Sequence, residues 1–238
     1  MSAAVSARDP RVLRAAALLR EPGDAICLDG PELVEAALAE GLELEFVLAA
    51  DPARWPGAAL ASPDALRALG ALGQPAEVVA VTRRPPPGRP QGATLVLAGV
   101  TDAGNVGSIL RTAAALGRQT RPSDAFSGPT VALLGDCADP MSRRALRAAA
   151  GASLRAGLIA NITNLDQIPR PLVAAVPRGG GDPSETPWSA LLLGNEREGL
   201  PDALVDQCDA RVTIPAAGFE SLNVAAAAAI LLWEAARR

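Results

Sequence analysis

Apolar and polar positions along this chain alternate with two periods. Short runs of Val, Ile, Leu and Ala bounded by Gly, Pro or Asp predict strands covered on both faces. Longer stretches with apolar residues three and four apart predict helices. In the first part this pattern predicts a helix ending near Glu21-Pro22-Gly23, strands at 25–28, 45–49 and 78–81, and helices at 31–39 and 63–69. In the second part it predicts strands at 94–100, 130–134, 172–176, 190–193 and 211–214, helices at 106–116, 142–153 and 223–236, and a shorter helix after Pro201. Between the two parts, Arg83-Arg84-Pro85-Pro86-Pro87-Gly88-Arg89-Pro90-Gln91-Gly92 forbids a helix and is expected to be an extended, semi-rigid spacer. The expected organisation is a small α/β/α unit over residues 1–82, a linker over 83–92, and a larger α/β unit over 93–238. The larger unit has a mostly parallel sheet with helices on both faces. Segments 119–129 and 179–183 read as irregular and flexible loops.

Composition narrows the chemistry. The 238 residues are 49% hydrophobic, enough for one large core or two modest ones. There is no His, no Tyr and no Lys, and all 22 basic residues are Arg. This excludes Ser-His and Cys-His nucleophiles, His-ligated metals, the lysine of a P-loop and Schiff bases. Three widely spaced cysteines (Cys27, Cys137, Cys208) argue against a disulfide framework and for a reducing, cytoplasmic setting. The Arg-flanked run at 12–19 stops at a helix breaker and reads as a first helix rather than a transit peptide. The closing apolar run is too short to span a bilayer, so no membrane association is expected. Net charge is −4, but Arg8, Arg11, Arg14 and Arg20 face only Asp9 near the N-terminus, and Arg83, Arg84 and Arg89 have no acid beside them. Such clusters form either phosphate contacts or solvated helix faces.

Three segments can carry polar chemistry. The first, Gly104-Asn105-Val106-Gly107-Ser108-Ile109-Leu110-Arg111, offers Asn105 as a helix cap with Arg111 nearly two turns further on. In the second, Gly194-Asn195-Glu196-Arg197-Glu198-Gly199-Leu200-Pro201 follows an apolar strand, the expected ligand position in a parallel sheet. The third, Ile214-Pro215-Ala216-Ala217-Gly218-Phe219-Glu220-Ser221-Leu222-Asn223, joins a strand to a helix through a turn with two capping-type residues, Ser221 and Asn223. Each alone is also compatible with a capped helix or a solvated turn. No G-x-G-x-x-G occurs, which counts against a dinucleotide-binding domain.

In this order the three segments resemble the motifs of the TrmH/SpoU-type RNA 2′-O-ribose methyltransferases of the SPOUT class. Asn105, Gly107, Ile109, Arg111, Thr112 and Ala113 match the first motif. Gly194, Asn195, Glu196, Gly199 and Leu200 match the second. Ile214, Pro215, Gly218 and Ser221–Val224 match the third. The first unit is similar to the ribosomal-protein-like substrate-binding domain found on rRNA-modifying members. The resemblance implies a trefoil-knotted sheet, S-adenosyl-L-methionine as cofactor, no metal, and a homodimer. It also implies an RNA substrate, ribosomal in preference to transfer RNA. It assigns catalysis to Asn105, Arg111, Glu196, Ser221 and Asn223, and cofactor binding to Gly194, Asn195, Ile214, Gly218 and Leu222. The third motif departs from the pattern: two residues, rather than three, separate Gly218 from Ser221, and Ala216 stands where Met is usual. Two readings therefore stand, an active methyltransferase and a catalytically silent RNA-binding homologue with weakened cofactor binding.

Overall fold

The computed structural model describes residues 4–71, 73–116, 128–195, 197–216 and 221–237. The first part contains α1 (Pro10–Arg20), β1 (Ala25–Asp29), α2 (Pro31–Ala39), β2 (Leu44–Ala49), β3 (Ala58–Leu60), α3 (Pro63–Leu69) and β4 (Val78–Arg83). The second contains β5 (Thr94–Ala98), α4 (Ala103–Leu116), β6 (Thr130–Leu134), α5 (Arg143–Ala149), β7 (Ile159–Ile162), β8 (Leu172–Ala175), β9 (Ala190–Leu193), α6 (Asp202–Val205), β10 (Ala210–Val212) and α7 (Val224–Ala236). Helices α1, α2 and α3 each open on a proline, whose fixed φ suits a first helical turn and whose missing N–H costs nothing there. Asp9 and Ser62 cap α1 and α3 by accepting from main-chain N–H groups.

The first sheet has the order β1-β4-β2-β3, with only β2 and β3 parallel. The second has the order β10-β8-β9-β5-β6-β7, and every adjacent pair is parallel. Its faces are covered unequally, one by three helices and the other, where helices were also expected, by loop residues and the single turn of α6. On one, Leu95, Leu97, Val131, Leu133, Leu191 and Leu193 pack with α4, α5 and α7. On the other, Val96, Ala98, Ala132, Leu134 and Leu192 pack with Leu165, Ile168, Leu200 and Leu204. Burial on both faces is why these strands are continuous apolar runs.

Several expectations are corrected. The helix expected over 142–153 is only α5, because Ala150 adopts a left-handed conformation (φ 49°) and a 3-10 turn follows at Ala152–Leu154. β3 and β7 gave no clear run in the sequence; β7 is interrupted by exposed Asn161. The proline-rich linker, expected as an extended, semi-rigid spacer, is docked on the second unit. Gly88 N–H donates to Ile159 O at 2.7 Å, Gln91 N–H donates to Thr130 Oγ1 at 3.2 Å, and Arg84 forms a bidentate pair with Asp139 at 2.6 and 2.9 Å. It thereby covers the outer edge of β7. The glycine-rich loop at 179–183 is likewise tied down: Gly180 N–H donates to Thr213 Oγ1 at 2.9 Å, and Gly181 exchanges main-chain bonds with Arg211 and Thr213. The expected loop at 119–129 lies largely outside the described residues.

The two sheets share one core. Ile26, Leu28, Leu33 and Val34 belong to the same apolar cluster as Leu146, Ala149 and Leu154. Beside it, buried Asp29 Oδ2 accepts from Arg143 Nε at 2.9 Å and Nη2 at 2.7 Å, and from Arg147 Nη1 at 2.9 Å. Arg143 Nη2 also donates to Leu69 O and Gly70 O at 2.9 and 2.8 Å, fastening α3 to α5.

Candidate active site

The described parts of all three polar segments follow the ends of β5, β9 and β10, at the carboxyl edge of the parallel sheet where ligands are held in α/β proteins. After β5 the chain turns into α4. Asp102, rather than Asn105, serves as the cap: its Oδ1 accepts from Asn105 N–H at 2.9 Å, while Arg144 pairs with its other oxygen at 2.8 Å. Asn105 thus sits within the first turn, and its side-chain oxygen accepts from Asn223 Nδ2 at 3.1 Å. Asn223 does cap α7, accepting from Ala225 N–H at 2.9 Å and Ala226 N–H at 3.3 Å. One asparagine therefore starts α7 and joins it to α4. Ser221 does not take part in the cap; it is exposed just before it.

Gly107 lies where α4 crosses α5. A Cβ there would come within 2.4 Å of Ala145 O and 2.7 Å of Ala148 Cβ, so this motif glycine serves helix packing. Arg111 lies six residues past Asn105, about 9 Å along the helix axis. Its side chain is exposed and makes no ion pair among the described residues. It is not hydrogen-bonded to Asn105 or Asn223; within one chain the structure brings the two asparagines together and leaves Arg111 apart.

In the second segment, Asn195 has a structural task. Its Nδ2 donates to Gly99 O at 2.7 Å and its Oδ1 accepts from Arg197 N–H at 2.8 Å, pinning the loop to the end of β5. Gly194 is required by close approach, since a Cβ would lie 2.4 Å from Gly199 C. In the third segment, half-buried Ile214 packs on the main core and Leu222 stays 39% exposed. The main-chain groups of both make no hydrogen bond with another described residue. Glu196 and Gly218, together with the shortened turn at 217–220, lie outside the described residues.

Beside the second segment, over the ends of β5, β6 and β7, opens a cavity of about 730 Å³. Asn195 is the one assigned site residue among its lining; Glu198, Gly199 and Pro201 come from the same second segment, while Asp136, Asn164 and Gln207 were given no role by the sequence. The unrecognised β7 concealed Asn164, and Asp136 follows β6 at the position where strand-end polar residues gather. Thiolate chemistry is disfavoured: burial pushes the Cys27, Cys137 and Cys208 thiols up. Among the described residues no group of three or more His, Cys, Asp or Glu is placed to hold a metal ion.

A family model described as the SpoU rRNA methylase family matches residues 92–233. The chain belongs to that family. A curated relative from Bacillus subtilis (strain 168), the 23S rRNA (guanosine(2553)-2′-O)-methyltransferase RlmP, is 30% identical over 227 residues, covering 87% of this chain and 86% of its own. An uncharacterised tRNA/rRNA methyltransferase of Synechocystis is 34% identical over 174 residues, 66% of this chain; the match spans only 56% of that relative's length. Among solved structures, the SpoU methyltransferase AviRb from Streptomyces viridochromogenes in complex with the cofactor AdoMet superposes with a TM-score of 0.80 at 27% identity, covering 97% of this chain and 98% of that one. The residues here suit such a cofactor. Ile214 and Leu222 offer apolar flanks beside main-chain donors and acceptors not engaged by other described residues, the combination that an adenine ring and its polar edge require.

Proposed function

We propose that the protein transfers a methyl group from S-adenosylmethionine to a ribose 2′-oxygen of structured RNA, ribosomal RNA in preference to transfer RNA. The observation that supports this reading best is the hydrogen bond between Asn223 and Asn105, which joins residues of the first and third motifs. Bound there, the cofactor supplies an activated methyl group on a cationic sulfur, so the protein's task is alignment and charge management.

Gly194, Asn195, Ile214, Gly218 and Leu222 form the cofactor side, mainly through main-chain groups. Asn105, Ser221 and Asn223 position the ribose. Arg111 remains a guanidinium, since this group does not deprotonate in proteins, and it holds the adjacent phosphate and the negative charge developing on the 2′-oxygen. Glu196 accepts the hydroxyl proton as the O–CH₃ bond forms and the sulfur–methyl bond breaks. The exposed position of Arg111, unpaired among the described residues, supports a homodimer in which Arg111 completes the partner's site. The α7 surface supports it too, exposing Ala226, Ile230 and Trp233 at helical spacing. The family's trefoil threading, the role of residues 1–82 as an RNA-binding unit and a cytoplasmic location belong to the same reading. Arg83 and Arg89 are exposed on the linker, suited to phosphate contacts, whereas Arg11 and Arg14 are already paired with Asp9 and Glu45.

Replacing Arg111 tests the proposal. Arg111→Ala is expected to lower methyl transfer to ribosomal RNA by ~10²–10³-fold, as for removal of one charge-stabilising donor, with an unchanged melting temperature. A fully active variant overturns the assignment of Arg111. Calorimetry with S-adenosylmethionine separates the silent homologue: no binding at millimolar cofactor favours that alternative.

A further inference from the structure

Of the described residues assigned to methyl transfer, Asn195 alone lines the 730 Å³ cavity beside them, and its side chain is bonded to Gly99 O and Arg197 N–H. Asn105 and Asn223 belong to helices on one face of the sheet. The cavity's apolar wall, Leu134, Leu165 and Leu204, belongs instead to the cluster on the other face. Its volume falls within the range of small-ligand sites, roughly 300–1,000 Å³. The polar groups around it are lopsided: Asp136 and Glu198 line it, and no Arg among the described residues does. Neither carboxylate has a hydrogen-bond or ion-pair partner among the described residues. Asn164 engages its Oδ1 with Asp166 N–H at 3.1 Å, and its amide N–H groups have no partner among the described residues.

We propose that this cavity receives the unstacked base of the target nucleotide and selects guanine. The inference rests on the methyltransferase reading above and adds the identity of the base. An apolar wall suits a flat ring lifted out of its stack, the usual way proteins read single-stranded RNA. The polar rim then discriminates. A carboxylate only accepts, so it favours a base that presents donors. Guanine presents two adjacent donors, N1–H and the N2 amino group, which one carboxylate accepts side by side, while its O6 takes the Asn164 amide. Uracil presents one donor between two carbonyls, and those carbonyls would face the carboxylates. Adenine and cytosine each offer a single amino group beside a bare acceptor nitrogen. The same carboxylates repel phosphate, so the RNA backbone must pass over the rim, where exposed Arg197 stands next to Glu198.

The test uses the full chain, methyl-labelled S-adenosylmethionine, and large-subunit ribosomal RNA from cells lacking the gene. The RNA is digested to nucleosides and analysed by mass spectrometry. The expected product is 2′-O-methylguanosine. A 2′-O-methyl group on any other nucleoside overturns the guanine assignment and leaves the methyltransferase reading standing. No methylated nucleoside from ribosomal or transfer RNA overturns that reading instead. In parallel, the Asp136→Asn/Glu198→Gln double variant is compared with the wild type. We expect the KM for RNA to rise at least ~10-fold, the low end for loss of a bidentate base contact, with cofactor Kd and melting temperature unchanged. A wild-type KM, or weakened cofactor binding in its place, shows that the cavity does not hold the base.

Discussion

At the scale of single residues, the motif positions divide by physical task. Asn105 and Asn223 are bonded to each other across α4 and α7, and Arg111 is exposed and unpaired among the described residues; their side chains suit ligand contact. Gly107, Gly194 and Asn195 belong to the same motifs but are spent on structure, as helix contact, loop closure and loop anchor. Gly107 allows a direct check. Its missing Cβ would meet a main-chain oxygen at 2.4 Å, an atom that cannot rotate away, so Gly107→Ala must part α4 from α5. We expect a loss of about 1–3 kcal/mol in urea denaturation, typical of overpacking. Because α4 carries Asn105 and Arg111, methyl transfer should fall with it. A variant as stable as the wild type would show that the helices separate at no cost.

At the scale of elements, the parallel sheet is closed at both edges by segments that the sequence marks as loops. The proline-rich linker lies along β7, and the glycine-rich loop lies along β10. Short β10 is further held by Asp209, whose Oδ2 accepts from Leu172 N–H at 2.6 Å and from Arg170 at 3.1 Å. The bond from Leu172 and then the Arg170 guanidinium hold the Asp209 carboxyl below its usual range. A group depressed in the folded state adds stability above its unfolded value, about 3.9, and loses it as pH falls through the folded value. The melting temperature of Asp209→Asn should therefore lie below that of the wild type at neutral pH, and the two curves should converge at the acid end. Curves that stay parallel down to pH 2 would remove Asp209 from the edge's stability.

At the scale of the whole molecule, the two sheets are built as one body. A common apolar cluster, the Asp29–Arg143–Arg147 group and the Arg84–Asp139 pair cross between them, so the first unit is fixed relative to the site it is proposed to serve. Removing it would expose that core. Surface substitutions are therefore the better test of its RNA role. The α7 surface is left open, with Trp233 55% and Ile230 39% exposed on the helix that begins at Asn223. Large apolar side chains held at the surface beside a site are what a subunit contact would cover. Trp233→Glu is expected to turn a dimer into a monomer in sedimentation velocity and to lower methyl transfer with it. A wild-type protein that sediments as a monomer overturns the homodimer.

The sequence alone makes legible the alternating α/β order, most strand and helix positions, and the three motif segments, because buried parallel strands and capped helices are written in local apolar runs and turn residues. It also determined what chemistry is absent, since a chain without His or Lys cannot use either. Tertiary packing sets where the helices stop, makes the linker and glycine loop edge strips, and makes Asp102 the cap of α4 so that Asn105 meets Asn223. It alone gathered Asp136, Asn164 and Glu198 around one cavity. These outcomes depend on groups distant in sequence: Gly88 bonds across to Ile159, and Asn223 bonds across to Asn105. No local pattern encodes such pairings, because each forms only once the sheet has brought its strand ends side by side.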